Sequence, residues 1–438
     1  MLGVIGIRRE TKDETQRRSP LSPRQVREIT RRTGVRVIVQ PWDQRIFRDE
    51  EYRRAGATVS NDLSQANIIF GVKEVAPPFL QGGQTYCFFS HTVKGQTYNM
   101  PMLRAMVEHR NTLLDYELAR DAAGKRVACF GVFAGFAGMI DTLWALGKRL
   151  QWEGVPSPFR RIRYATEYES LKDARDDLRS VGRAIRGRGL HRSLVPLVFG
   201  FTGYGRVSQG ALRLFKHLPV KEIAPGDLAW LHETGTASNR VLYAVTFRKP
   251  DMYRHRKAGH AFDAEEFRRR PRNYVGRMKE FLPYLTVLVN GIYWEPGVPR
   301  LVTRSFTRTL YRRRPAPRLR VIGDITCDIR GSIELTTTAT DSTDPVYVYD
   351  PETGRSRRGW RGRGPVILAV DKLPTEFPRE ASEAFGTQLL RFVPQLAGTD
   401  FSRPLSRLTL PPEFRDAVIL HKGKLTRQYH HLKEHLYD

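Results

Sequence analysis

Cysteine is scarce in this chain: 438 residues contain only Cys87, Cys129 and Cys327. The number is odd, the three stand far apart and none forms a Cys-x-x-Cys pair, which argues against a disulfide framework and a thiolate metal site. A reducing compartment is expected. Acidic residues are also few, 46 against 73 Lys and Arg, leaving a formal net charge of +27. The opening MLGVIGIRRET has too short an apolar run for a signal-peptide core, and Glu10 and Asp13 argue against a transit peptide. The expectation is a cytoplasmic chain that begins in a strand over residues 2–7. Only one apolar run reaches membrane length, VACFGVFAGFAGMIDTLWAL at 127–146. Asp141 interrupts it, and Gly131, Gly135 and Gly138 put small residues at helical spacing, so a buried connecting helix is expected rather than a membrane span.

What is present supports two globular domains, since 40% of the residues are hydrophobic over a length unusual for one core. The basic excess is the best sequence argument for a nucleic-acid partner. Its distribution argues otherwise. The runs at 311–315 and 356–364 sit among Pro and Gly and read as loops, and arginine is scattered along nearly every segment. A solvated basic surface is therefore preferred, and a basic cleft also favours small anions.

Along the chain, short apolar strands alternate with helices. A strand at the start leads to a helix opening at Ser22-Pro23, then to VRVIVQ, NIIFGV and TYCFFS, a helix near 98–110, and TLLDYE. The second half repeats the theme. A charged amphipathic helix at 170–187 precedes SLVPLVFG, a glycine cluster, a helix from Arg206 and the strand VKEIA. RVLYAVTF, LTVLVNG and RLRVIGDI read as further strands. This alternation is the pattern of doubly wound α/β sheets.

The cluster Gly203-Tyr204-Gly205-Arg206-Val207-Ser208 lies between a buried strand and an amphipathic helix, the context in which a dinucleotide-binding loop is credible. Gly203 would make the tight turn and Gly205 would admit a pyrophosphate, while Ser208 takes the place of the third glycine. The following strand ends Ile223-Ala224-Pro225, with Glu222 inside it, so no acid stands ready for a ribose hydroxyl. With Arg206 at hand, this favours NADP over NAD. In the first half, Lys73 follows NIIFGV and His91 follows TYCFFS, with Lys94 and Glu117 close by. Groups at the carboxyl ends of parallel strands sit where open α/β sheets place their chemistry, and a Lys and His there suit proton transfer to an amine and a carbonyl oxygen. The C-terminal His431-Leu432-Lys433-Glu434-His435 fits a metal pattern but lacks an evident third ligand, so no metal is expected.

IGIRRET, GVKE, FFSHTVKGQ, LLDYE, FGVFAGFAGMI, FTGYGRVSQGA, NGIYWEPGVPRLVTR and GDITCDIRGSIE together resemble the lysine 2-oxoglutarate reductase family, the lysine-forming saccharopine dehydrogenases, within the alanine dehydrogenase superfamily. The resemblance implies two Rossmann-like doubly wound domains with a cleft between them. Residues 1–130 and 376–438 would form the substrate domain, and 131–375 the NADP(H) domain. It further implies condensation of lysine with 2-oxoglutarate and reduction by NADPH, NAD remaining possible, as the first step of lysine degradation. Lys73 and His91 would be the acid/base pair tuned by Glu117. Arg18 and Lys94 would hold substrate carboxylates, and Asn290, Gly291 and Asp328 would line the nicotinamide end. Relatives carry two glycines where this chain has Arg330-Gly331. A separate saccharopine-oxidising enzyme is expected as partner. The rivals are another opine or amino-acid dehydrogenase and a basic nucleic-acid-binding protein.

Overall fold

The computed structural model describes residues 3–313 and 317–436. Leu2 of the expected opening strand, and Arg314 and Pro315 of the basic run, lie outside the described residues. The chain divides into two compact units, Met1–Phe130 with Pro378–Asp438, and Gly131–Phe377.

In the first unit, six parallel strands lie in the spatial order Thr58–Val59, Arg36–Val39, Val4–Ile7, Ile68–Phe70, Thr85–Phe88 and Thr112–Asp115. The long apolar runs of the sequence become strands buried on both faces, as a parallel sheet covered by helices requires. Two antiparallel strands extend the sheet, Val418–His421 beside Thr112–Asp115 and then Lys424–Leu425, so it is mixed, where alternation alone pointed to a parallel one. The helix Pro23–Thr33 starts where Pro at its first position and Gln25, whose side chain accepts from the Ser22 N–H at 2.8 Å, define an N-terminus. It ends at Gly34, whose φ of 67° suits a residue without Cβ.

The second unit repeats the architecture with one exchange. Its parallel strands run Val220–Glu222, Leu242–Phe247, Val198–Thr202, Val287–Asn290, Val321–Asp324 and Val366–Leu368. Val346–Tyr349 and Ser356–Arg358 add antiparallel strands beyond Val366–Leu368, so the Arg-Gly stretch begins as an exposed edge strand. The apolar run at 127–146 falls mainly in the helix Gly131–Trp152, most of whose residues are buried. No helix among the described residues is long and apolar enough to cross a membrane. A Cβ on Gly135 would lie 2.1 Å from the Val207 carbonyl oxygen, and one on Gly210 2.2 Å from that of Val132. The two helices therefore touch backbone to backbone, which only glycine permits here. Asp141, fully buried in the same helix, accepts from the Ala165 N–H at 2.9 Å. Burial, with Glu376 beside it, pushes its carboxyl well above the usual range, which disfavours a charge inside the run.

Candidate active site and dinucleotide site

In the first unit, winding runs outward in opposite directions from Val4–Ile7 and Ile68–Phe70, so these neighbours mark the switch point where an open sheet leaves a crevice at its carboxyl edge. Both strands end there in charge. Arg8 donates from Nη2 to the Lys73 carbonyl and to Glu10 Oε2, the latter at 3.2 Å. Glu10 accepts the N–H groups of Val72 at 2.7 Å and Lys73 at 2.9 Å. Gly71 leaves room for this clamp, since a Cβ there would stand 2.3 Å from Arg8 Nε. The IGIRRET segment thus holds the GVKE turn by its backbone and aims Lys73, which is half-buried.

Glu74 binds the groups around it. Lys12 Nζ donates to both its oxygens at 2.8 and 2.9 Å, His91 Nδ1 lies 2.7 Å from Oε1, and Asn99 Nδ2 donates at 3.2 Å. Burial alone would raise this carboxyl, but the hydrogen bonds from His91 and Lys12 and the electrostatic pull of His91 and Lys73 outweigh it and hold Glu74 well below the carboxylate range. With Nδ1 turned to a carboxylate, the imidazole presents Nε2 for proton transfer. His91 adopts φ of 46°, a left-handed conformation rare outside glycine, on a loop fixed by Asn99 donating to the Ser90 and His91 carbonyls. Below Ser90, Asp115 accepts from the Ser90 N–H at 3.0 Å and the Glu117 N–H at 2.7 Å. Burial raises its pKa to about 6, against the hydrogen bonds of Ser90 and Glu117.

Arg18 is 3% exposed, its guanidinium 4.2 Å from the Phe130 ring centre, and Nε and Nη2 donate to Gln16 Oε1. Burial lowers its pKa to about 10, opposed by the charges of Glu10 and Asp13. Phe130 packs on Phe89, and Phe89 stacks on His91, so one aromatic floor carries the imidazole and the buried cation. The structure therefore brings Arg18, Lys73 and His91 to one network. Lys94 stands exposed three residues beyond His91. Glu117 ion-pairs with Arg126, and the carboxylate on His91 is Glu74.

In the second unit, Gly203 turns at φ of 79° and its N–H donates to the Phe247 carbonyl at 3.1 Å. The helix Arg206–Phe215 starts after Gly205, where a Cβ would meet nothing within 4 Å, leaving an open cradle at a ten-residue helix N-terminus. Ser208 Oγ donates to the Thr202 carbonyl at 2.8 Å and so closes the turn from inside. Tyr204 is largely exposed, and Arg206 and Val207 are half-buried in the first turn of the helix. On the other side of the glycine strand, buried Asn290 accepts from Thr202 Oγ1 at 2.6 Å and donates to Asp324 Oδ1 at 2.8 Å and Ser332 Oγ at 2.9 Å. Thr202 Oγ1 also accepts from the Gly291 N–H at 3.3 Å. Asp328 lies in the turn after Val321–Asp324, between Cys327 and Arg330, both at positive φ. A glycine turn that opens a helix N-terminus at a switch point, with polar groups fixed beside it, is the kind of place where open α/β sheets take up nucleotide phosphates.

One expectation is corrected here. The strand next to the glycine strand is Leu242–Phe247, not the Val220–Glu222 strand that follows the loop in sequence, which is displaced to the edge. Glu10, Lys12, Glu74, Asn99 and Asp115 are site residues that sequence reasoning passed over. Only Glu74, adjacent to Lys73, carried a local signal. His431 Nε2 bonds the Val93 carbonyl at 3.0 Å, and the described residues contain no metal-holding group of three His, Cys, Asp or Glu.

Residues 6–137 match the family model for the alanine dehydrogenase/PNT N-terminal domain. A solved L-alanine dehydrogenase shares the fold, with a TM-score of 0.58 and 18% identity over 99% of both chains. The likeness to alanine dehydrogenase is one of fold over the whole chain and of domain family over residues 6–137. In sequence, 98% of the chain is 35% identical to a mitochondrial alpha-aminoadipic semialdehyde synthase of Rattus norvegicus, spanning about half (48%) of that relative's length. It is also 27% identical to the NAD(+), L-lysine-forming saccharopine dehydrogenase of Neurospora crassa, over 88% of this chain and 89% of that one.

Proposed function

We propose that this chain is a lysine 2-oxoglutarate reductase: it condenses the ε-amine of lysine with the ketone of 2-oxoglutarate and reduces the product to saccharopine with NADPH, the first step of lysine breakdown. The observation that carries the reading is the Lys73, Glu74, His91 and Arg18 network at the switch point of the first unit. A dicarboxylate needs a fixed cation, and Arg18 is a buried guanidinium whose hydrogen-bond partner is a neutral amide. Lys94, exposed nearby, reaches for a second carboxylate. Lys73 and the Nε2 of His91 move protons to and from the attacking amine and the carbonyl oxygen that leaves as water. Glu74 keeps the imidazole in the tautomer that the transfer needs.

In this reading, residues 1–130 and 376–438 bind the substrates and 131–375 the dinucleotide, held by Gly203, Tyr204, Gly205, Arg206 and Val207, with Asn290, Gly291 and Asp328 at the nicotinamide end. The dinucleotide, when bound, supplies the hydride. Three free cysteines suit a reducing compartment such as the cytoplasm. The test is NADPH oxidation with lysine and 2-oxoglutarate together, with saccharopine identified by mass. Oxidation that needs both substrates supports the reading; oxidation with a different amine or keto acid replaces it by another amino-acid dehydrogenase.

A further inference from the structure

We infer that Arg248, assisted by Lys249, recognises the 2′-phosphate of the dinucleotide and so sets the preference for NADPH over NADH. The inference rests on the dinucleotide reading above and adds what selects between the two nucleotides. It follows from strand order. In an open sheet of this kind the adenosine ribose lies at the carboxyl end of the strand beside the glycine strand, where an acid reads a free 2′-hydroxyl and an arginine a 2′-phosphate.

Here that strand is Leu242–Phe247, paired residue for residue with the glycine strand up to Thr202 opposite Phe247. The Gly203 N–H is bonded to the Phe247 carbonyl, so the next residue, Arg248, flanks the turn glycine directly. Arg248 and Lys249 are both exposed. The nearest acid in sequence, Asp251, accepts from the Arg248 backbone N–H at 2.7 Å and is thereby turned to its own helix. The Lys249 ammonium stands 5.4 Å from the Phe267 ring centre, which leaves Arg248 the better placed of the two.

Glu222 does not compete. It pairs with Ala244, three residues before the strand end, on an edge strand two positions from the glycine strand. It is therefore about 10 Å to the side and about 10 Å back from the turn, and it is ion-paired with Lys216 at 2.9 Å. Arg206, in the first turn of the glycine helix, is placed for the pyrophosphate common to both nucleotides.

Titration of the full chain with NADPH, NADH and 2′,5′-ADP, read by nucleotide fluorescence or calorimetry, tests the assignment. The wild type is expected to bind NADPH more tightly than NADH and to bind 2′,5′-ADP. Arg248→Ser with Lys249→Ser is expected to weaken NADPH and 2′,5′-ADP by about 10- to 100-fold while leaving NADH unchanged. Arg206→Ser is expected to weaken NADPH and NADH alike, which also verifies that the loop is engaged. Equal wild-type affinity for the two nucleotides, or equal losses of both in the double variant, overturns the inference. Absence of binding by either nucleotide overturns the dinucleotide reading itself. Selective NADPH binding without turnover of lysine and 2-oxoglutarate removes only the substrate assignment.

Discussion

The two units carry the same device, a six-strand parallel arrangement with a switch point, and load it differently. At the first, the strand ends are charged side chains locked to one another through Glu10 and Glu74. At the second, the strands end in the closely packed glycines Gly203 and Gly291, the open space lies at Gly205 before the helix, and the polar groups beside them are neutral or, like Asp324, raised in pKa by burial. Side chains that move protons need positioned charge; a loop that receives a pyrophosphate needs N–H groups and space. The fold supplies the place, and the residues at the strand ends decide which chemistry it serves.

The largest expected effect comes from breaking the charged device. His91→Gln should lower turnover by about 10²- to 10⁴-fold with an unchanged melting profile, measured by steady-state assay and calorimetry. Glu74→Gln should cost about 10- to 100-fold in turnover, since His91 then faces a neutral amide in place of the carboxylate that holds its ring. Glu74 is held below its ordinary pKa, so it stabilises the native state above about pH 4.5, and that contribution is lost as pH falls towards its folded value. Urea melts of the Gln variant between pH 4.5 and 3 should show a shallower decline than the wild type. Arg18→Gln should raise KM for the keto acid by roughly tenfold or more and leave NADPH affinity unchanged in direct titration.

The second device breaks by steric means. Gly135→Val places side-chain atoms against the Val207 carbonyl and should destabilise the chain by about 1–3 kcal/mol in chemical unfolding, with the glycine loop losing nucleotide affinity before the first unit unfolds. The smallest effect is at Asp115. Its folded pKa of about 6 lies above its unfolded value of 3.8, so the native state binds more protons in that window and stability falls as pH rises through it. Asp115→Asn should flatten that fall, seen as a variant that gains on the wild type between pH 4 and pH 7.

Much of this was legible in the sequence because parallel strands buried on both faces leave uninterrupted apolar runs: NIIFGV, TYCFFS and LTVLVNG read directly as strands. Lys73 and His91 were singled out for the same reason, since a strand end fixes what comes next; Asn290, the last residue of its strand, was named only through the family resemblance. Strand order was not. Both Val220–Glu222 and Leu242–Phe247 follow the glycine strand, and the order of the chain favoured the first; the charged, largely exposed Val-Lys-Glu against the buried Leu242–Phe247 was the local sign that the first lies at the edge. The partners of Glu74 and Glu10 were hidden likewise, because Lys12 to Glu74 and Glu10 to Val72 each span 62 residues. The antiparallel placement of Val418–His421 and Val346–Tyr349 escaped notice because edge additions change the topology without changing the apolar pattern.

The division of labour between the two devices is tested most directly by Lys73→Met, with NADPH affinity and NADPH oxidation measured on the same preparation. The account predicts nucleotide binding equal to the wild type and turnover with lysine and 2-oxoglutarate reduced by at least about 100-fold. Full turnover in this variant, or loss of nucleotide binding along with turnover, would contradict it.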